Sequence, residues 1–163
     1  LKAYGKMRMV VAGGATRTDS VMAGLAAVSD RTQLVAVHDG ARPLVTDEVI
    51  CRAVSKAKKF AAAAPAVRVK DTIKVSTGGA VDETPDRSTL YAVQTPQVFD
   101  RDLLAAALQN AKEQGIALTD DCSAVEALGM PVQLTDGDEE NLKLTTPLDL
   151  ELAALILRRR ANA

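Results

Sequence analysis

Residues 34–43 place a carboxylate and a guanidinium where a buried strand is predicted to end. Four apolar residues, LVAV, are followed by HDGARP, which contains Asp39 and Arg42. Gly40 permits a sharp backbone turn there. In open α/β sheets, ligands bind beyond the carboxyl ends of the strands. At that position a carboxylate can hold a hard cation, and an arginine can bind phosphate through paired hydrogen bonds. A purely structural Asp–Arg pair is the alternative, and this stretch alone does not decide between the two.

A second candidate motif, GGATRTDS, occupies residues 13–20. It lies between a predicted strand at 7–12 and an apolar-periodic helix at 21–28. Glycines let a ligand approach the backbone, and a helix N-terminus favours anions; Thr18 and Ser20 are candidate caps. A plain strand-to-helix turn is the alternative, because the motif is neither a Walker loop nor G-x-G-x-x-G.

The elements that would position these motifs alternate along the chain. After the strand at 34–38, the pattern predicts a helix at 46–60 and a strand at 61–67, which favours a parallel sheet with crossover helices. Further along, it predicts helices at 100–114, 119–128 and 146–160, and strands at 131–135 and 141–145. Three acceptor side chains in a row, TDD at 119–121, exceed what a helix cap requires, although on their own they are more typical of a capping cluster at a helix start.

Residues 69–98 interrupt this alternation. Polar and apolar residues alternate with period two at 71–76, a turn follows at 77–80, and 81–84 can pair back. This predicts a hairpin that projects from the main body. Because a lone hairpin is marginally stable in water, we expect it to pack on the equivalent arm of a second subunit. Packing on its own domain is the alternative.

Composition excludes several classes of function. The 163 residues suit one domain, and with only 2% aromatic residues the core must consist of Ala, Val, Leu and Ile. The net charge of −1 gives no general attraction to nucleic acid or a membrane surface. Two cysteines far apart and one histidine argue against a zinc site and against a disulfide framework. We therefore expect a cytoplasmic protein without nucleic-acid or membrane partners.

Six motifs occur in one order: GGATRTDSV, HDGARP, DTIK, DRSTLYAVQTPQVF, TDDCSAVEALG and NLKLTTPLDL. The series resembles the 2-C-methyl-D-erythritol 4-phosphate cytidylyltransferases of the non-mevalonate isoprenoid pathway over nearly the whole chain. The resemblance implies an α/β, Rossmann-like nucleotidyltransferase fold with a mixed, mainly parallel sheet and a projecting β-arm. It implies a homodimer joined through that arm, 69–98. It also implies transfer of CMP from CTP to the sugar-alcohol phosphate with Mg2+, releasing pyrophosphate.

The resemblance also implies roles for individual residues. Nucleotide contacts fall on Gly13, Gly14, Ala15, Ser20 and Gly40, although relatives often carry Asp where Ala15 stands. Asp39 matches the metal-binding carboxylate, and the catalytic set is Asp39, Arg42, Arg87 and Lys143. The acceptor would be bound by Thr72, Arg87, Thr119 and Lys143, with Thr72 and Arg87 reaching across the dimer.

The implied reaction suits these residue types. An anionic phosphate must attack an anionic triphosphate, and no covalent protein nucleophile is needed, so catalysis rests on positioning and charge neutralisation. The lone His38 needs no acid–base role in this chemistry. We expect it to form a hydrogen bond with neighbouring backbone.

The start of the sequence differs from the family pattern, and two other functions remain as alternatives. Members of the family start with a strand and a glycine-rich CTP loop that have no counterpart before Leu1, so residues 1–163 are expected to form a single domain without that loop and to be inactive or nearly so alone. The alternatives are a cytidylyltransferase for ribitol or ribulose 5-phosphate, and a non-catalytic dimeric interaction domain.

Overall fold

The computed structural model describes residues 5–162. In chain order, the elements are α1 (Arg17–Ala26), β1 (Leu34–Val37), α2 (Asp47–Phe60), β2 (Ala62–Arg68), a 3-10 turn (Arg87–Thr89), β3 (Tyr91–Val93), β4 (Gln97–Asp100), α3 (Arg101–Glu113), α4 (Asp121–Ala127), β5 (Gln133–Asp136) and α5 (Pro147–Ala161).

One five-stranded sheet forms the centre of the fold. β1 pairs antiparallel with β4, and β4 pairs antiparallel with β2. β3 continues along the same edge of β2 as β4, and β5 pairs parallel along the other edge. Strands β1, β2 and β5 therefore run in one direction and β3 and β4 in the other, which confirms a mixed α/β sheet. The alternating elements predicted neighbouring parallel strands, but β4 lies between β1 and β2.

The helices cover both faces of the sheet because β2 is built from small residues. Its sequence, AAAPAVR, is buried over the first five positions. On one face, α3 and α4 pack around Phe99, Leu104 and Val125. On the other face, Ala53 and Ala57 of α2 pack against the sheet. The predicted core of aliphatic residues is thus present, with Phe99 as its one fully buried aromatic side chain in the described part of the chain.

Most helices begin where the sequence places a cap. The side-chain oxygens of Thr46, Asp100 and Thr146 accept hydrogen bonds from backbone N–H groups in the first turns of α2, α3 and α5. Helix α1 begins earlier than predicted, because Thr16, in extended conformation, caps it by accepting from Asp19 N. The prediction started too late because it followed the apolar residues, which form only the half-buried face of this helix.

Two predicted strands are wrong. Residues 7–12 pair with no strand in the described part of the chain, and Met9 and Val10 are 63% and 68% exposed. Residues 141–145 also pair with no strand in the described part of the chain; Leu144 N donates instead to Ala41 O, over 2.8 Å. Conversely, the sequence analysis predicted no strand between residues 85 and 99 and therefore missed β3 and β4.

The segment between β2 and β3 forms the projecting arm. Val69 N donates to Leu90 O at its base, and a single antiparallel bridge joins Val75 to Glu83. Side-chain bonds such as that from Lys74 Nζ to Thr84 Oγ1, 2.8 Å long, support the turn. Three apolar side chains of the arm are exposed: Ile73 at 40%, Val75 at 42% and Val81 at 59%. The predicted hairpin is therefore reduced to one bridge.

Candidate active site

Asp39 lies at the carboxyl end of β1 and faces two cations. Lys143 Nζ is 3.0 Å from Asp39 Oδ2, and Arg42 Nε is 3.8 Å from the same oxygen. The Asp39 side chain is 20% exposed, so a ligand can still reach it. The structure thus brings together three of the residues to which the sequence assigned catalytic roles.

A histidine and a threonine hold the loop that carries Asp39. His38 Nε2 donates to Arg42 O over 3.0 Å, which fixes the hydrogen on this nitrogen because a carbonyl only accepts. His38 Nδ1 lies 2.9 Å from Thr95 Oγ1, and Asp39 N donates to the same hydroxyl. Since the Thr95 hydroxyl accepts from Asp39 N, its hydrogen is free to be donated to His38 Nδ1. The backbone role expected for His38 is the one that the structure shows.

A buried asparagine positions the segment that carries Lys143. Asn141 is fully buried, and its Nδ2 donates to Thr95 O over 2.9 Å. Arg42 Nη1 donates to Asn141 O over 2.7 Å. Gln94 joins the same group, because its Oε1 accepts from Asn141 Nδ2 over 3.3 Å while its Nε2 donates to Asp138 O. Residues 141–145 are therefore tied to the Asp39 loop by polar contacts rather than by strand pairing.

The electrostatics keep Asp39 ionised. Burial raises its pKa, but the hydrogen bond and charge of Lys143, with the charges of Arg17 and Arg42, lower it by more. The pKa of Asp39 therefore lies below its ordinary value. Burial lowers the pKa of Arg42, and the charge of Asp39 offsets part of this shift. Because the ordinary pKa of a guanidinium is so high, Arg42 stays protonated.

The glycine segment folds into a tight turn beside Asp39. Gly14 N donates to Ser20 Oγ over 3.1 Å, and Ser20 Oγ donates to Thr16 O over 2.9 Å. A Cβ on Gly14 would lie 2.3 Å from Asp19 Cβ, so only glycine fits. Ser20, Asp39 and Gly40 line one cavity of about 460 Å³. Gly13 and Ala15 lie in the same exposed turn.

Arg17 is a residue at this site to which the sequence interpretation gave no role. Its Nη1 and Nη2 donate to the two carboxylate oxygens of Asp121 over 2.9 and 2.7 Å. Asp121 is 1% exposed, and this hydrogen bond raises the pKa of Arg17 above its ordinary value. Arg17 also lines the cavity that contains Asp39. One signal in the sequence could have indicated this contact. In the TDD motif, Asp120 alone caps α4, so the next residue, Asp121, is left to pair with a cation, which is Arg17.

The predicted acceptor residues fall in different places. Arg42 and Lys143 line a second cavity, of about 500 Å³, with Lys70 and Asp71 from the base of the arm. The Asp39–Lys143 ion pair therefore connects the two cavities. Thr119 is exposed and lines a third cavity beside Tyr91.

Two arm residues with predicted roles stay outside these cavities. Thr72 and Arg87 are exposed, and neither lines the cavities that contain Asp39 or Lys143. Arg87 Nη1 donates to Lys70 O over 2.6 Å. Within one chain, the structure does not bring these two side chains to Asp39.

The site fits a metal ion only if a ligand shares it. Among residues 5–162, no group of three or more His, Cys, Asp or Glu side chains is arranged to hold a metal ion. Mg2+ is commonly held by one or two carboxylates together with substrate phosphates. Asp39 suits this arrangement, in which one carboxylate and the phosphates of a substrate hold the ion together.

Comparison with known proteins identifies the family. The family model described as IspD, 2-C-methyl-D-erythritol 4-phosphate cytidylyltransferase, matches residues 2–159. The chain belongs to this family. The cytidylyltransferase of Desulforamulus reducens is 49% identical over 158 residues, which are 96% of this chain and 68% of the relative. That of Symbiobacterium thermophilum is 50% identical over 158 residues, 96% of this chain and 67% of the relative.

A solved structure from the same family has the same fold. The crystal structure of the Thermus thermophilus enzyme superposes with a TM-score of 0.82 at 40% identity, covering 90% of this chain and 71% of that one. The family and the nucleotidyltransferase fold implied by the six motifs are therefore confirmed. Within residues 5–162, no helix is long and apolar enough to cross a membrane.

Replacing Lys143 tests the electrostatic arrangement. Lys143→Met should raise the pKa of Asp39 towards its ordinary value of 3.8, because it removes both the hydrogen bond and the nearest charge. NMR titration of the Asp39 carboxyl carbon measures this. Lys70→Met, which changes an exposed lysine paired with Glu139, is the matched control.

The same substitution should change stability in acid. A lowered folded pKa means that ionised Asp39 stabilises the fold above pH 3.8, and that this contribution is lost as the pH falls through the folded value. Urea unfolding of Lys143→Met should therefore show a smaller loss of stability over that interval than the wild type. An unchanged Asp39 titration in Lys143→Met would contradict the arrangement.

Proposed function

We propose that this chain transfers CMP from CTP to 2-C-methyl-D-erythritol 4-phosphate, giving 4-diphosphocytidyl-2-C-methyl-D-erythritol and pyrophosphate. The observation that carries the proposal is the Asp39 carboxylate held between Lys143 and Arg42, beside a glycine turn and between two cavities. The names of the relatives supply the substrate. The second cavity favours an anion, because its four basic side chains outnumber its two acidic ones.

The nucleotide would occupy the cavity beside the glycine turn. Ser20, Asp39 and Gly40 line this cavity, and Gly13, Gly14 and Ala15 would contact the nucleotide from the turn that precedes helix α1. Glycines allow the base and ribose to approach the backbone closely. Because Ala15 lacks a side-chain acceptor, any base contact at that position is made by its backbone.

Asp39 would hold Mg2+, which when bound neutralises phosphate charge and orients the α-phosphate for attack. Lys143 and Arg42 offset the remaining negative charge as the acceptor phosphate approaches. Lys143 is 50% exposed and already paired with Asp39, so it can turn towards a phosphate oxygen. No proton has to be moved by the protein, in agreement with the backbone role of His38.

A second subunit would complete the site that binds the acceptor sugar phosphate. Arg42 and Lys143 line the second cavity, and Thr119 lies on the neighbouring one. Thr72 and Arg87 would reach the acceptor from the partner's arm. Support comes from the exposed apolar side chains of the arm, which no described part of the same chain covers. We propose a homodimer joined through 69–98.

The same proposal includes a cytoplasmic location. It is supported by Cys51 and Cys122, which are free thiols. No nucleic-acid partner is proposed, because the net charge is −1 and aromatic residues are scarce.

Asp39→Asn tests the proposed reaction. With the metal-binding charge removed, turnover should fall at least about a hundredfold. Pyrophosphate release from CTP is measured with methylerythritol phosphate and ribitol 5-phosphate side by side, on residues 1–163 and on the polypeptide encoded by the complete open reading frame. Asp30→Asn, at a fully exposed aspartate, is the control.

Three results would overturn parts of this proposal. Near-full turnover by Asp39→Asn would refute the metal role. Preference for ribitol 5-phosphate would assign the chain to the sibling activity. Dimerisation without any turnover by the complete polypeptide would favour the interaction-domain alternative.

Mixed dimers test the shared site. Arg87→Ala and Asp39→Asn subunits should each be inactive alone, yet regain activity when mixed, because one of the two sites then carries neither lesion. Pyrophosphate release by co-refolded subunits measures this, with each homodimer as its control. Absence of recovery would show that the arm serves its own subunit.

A further inference from the structure

Helix α1 carries the glycine turn but is held only loosely by apolar packing. None of its residues is buried. Val21, Met22 and Leu25 are half-buried against the cluster around Phe99. Its position, and therefore that of residues 13–20, depends on polar contacts to the body of the protein.

The deepest of these contacts is the pair formed by Arg17 and Asp121. The guanidinium binds both oxygens of a carboxylate that is 1% exposed. The other ion pairs nearby are more exposed. In α1, Asp19 pairs with Lys112, whose side chain is 58% exposed, and in the loop after α1 the fully exposed Asp30 pairs with Arg101. Exposed pairs contribute little to holding a geometry.

Asp121 is itself fixed to the centre of the sheet. Gln97 Oε1 accepts from Asp121 N over 3.1 Å and from Cys122 N over 3.3 Å. Gln97 Nε2 donates to Asp120 Oδ2 over 2.7 Å, and Gln97 is 2% exposed. Residue 119, which belongs to the acceptor side of the proposed site, immediately precedes this network.

We propose that Arg17 and Asp121 form a positioning pair that fixes the nucleotide-side turn, residues 13–20, against the acceptor-side segment, residues 119–121. This rests on the proposed function. The pair sets the distance between bound CTP and the acceptor phosphate. A planar guanidinium is required, because an ammonium cannot bind both carboxylate oxygens in a fixed plane.

Arg17→Lys and Asp121→Asn test the pair. The matched control is Arg101→Lys, because Arg101 at the start of α3 bonds the loop that follows α1 through an exposed aspartate. Arg17→Lys should raise the KM for CTP about tenfold and lower kcat as well. Asp121→Asn should do the same without leaving a buried carboxylate unpaired, so it remains informative if Arg17→Lys folds poorly. Amide hydrogen exchange of residues 13–26 should speed up in both variants and stay unchanged in Arg101→Lys.

A merely structural role predicts a different result. Loss of folded protein lowers the apparent kcat but leaves KM and the exchange pattern of the folded fraction unchanged. Variants with wild-type KM for CTP and wild-type exchange at residues 13–26 would overturn the positioning role. If the wild-type polypeptide turns over neither sugar phosphate, the proposed function fails, and the exchange measurement alone still decides whether the pair holds the turn.

Discussion

The ion pair between Asp39 and Lys143 is the contact on which the rest of the site depends. A carboxylate that is four-fifths buried needs opposite charge, and Lys143 supplies it at 3.0 Å with Arg42 close by. To keep that geometry, the protein buries several polar side chains in hydrogen-bonded contact with the two loops involved. Thr95 and Asn141 bond the loops to the sheet, and His38 closes the Asp39 turn on itself. The network is not fully satisfied, because the buried atoms Arg42 Nε and Asn141 Oδ1 have no hydrogen-bond partner in the described part of the chain.

This arrangement explains how the fold serves a reaction between two anions. The Asp39 loop leaves β1 beside one cavity, and Lys143 reaches the other, so charge neutralisation is concentrated where the two substrates of the proposed reaction would meet. Helix α1 and the start of α4 hold the outer parts of the pocket, and the bidentate Arg17–Asp121 pair joins them. Binding, positioning and charge are thus supplied by separate segments that meet at the ends of the central strands.

Local signals predicted a good part of this structure. Caps at Thr46 and Thr146, the alternation of elements and the motif order all follow from neighbouring residues and were recoverable from the sequence. The 7–12 segment shows the limit: its composition is typical of a strand, but a strand exists only where a partner strand lies beside it. The contact between Arg17 and Asp121 spans 104 positions, so no local pattern indicates it. The short strands β3 and β4 were missed because Pro96 interrupts them, although both pair with β2.

The most direct test of the central role of Asp39 is to locate a paramagnetic metal ion bound with nucleotide. Mn2+ and CTP are added to the 15N-labelled protein, and the loss of amide signals is recorded residue by residue. We expect signals from His38 to Arg42 and from Lys143 to disappear first, and Asp39→Asn to abolish this pattern while Asp30→Asn preserves it. Broadening centred away from the end of β1, or unchanged in Asp39→Asn, would contradict the central role of Asp39.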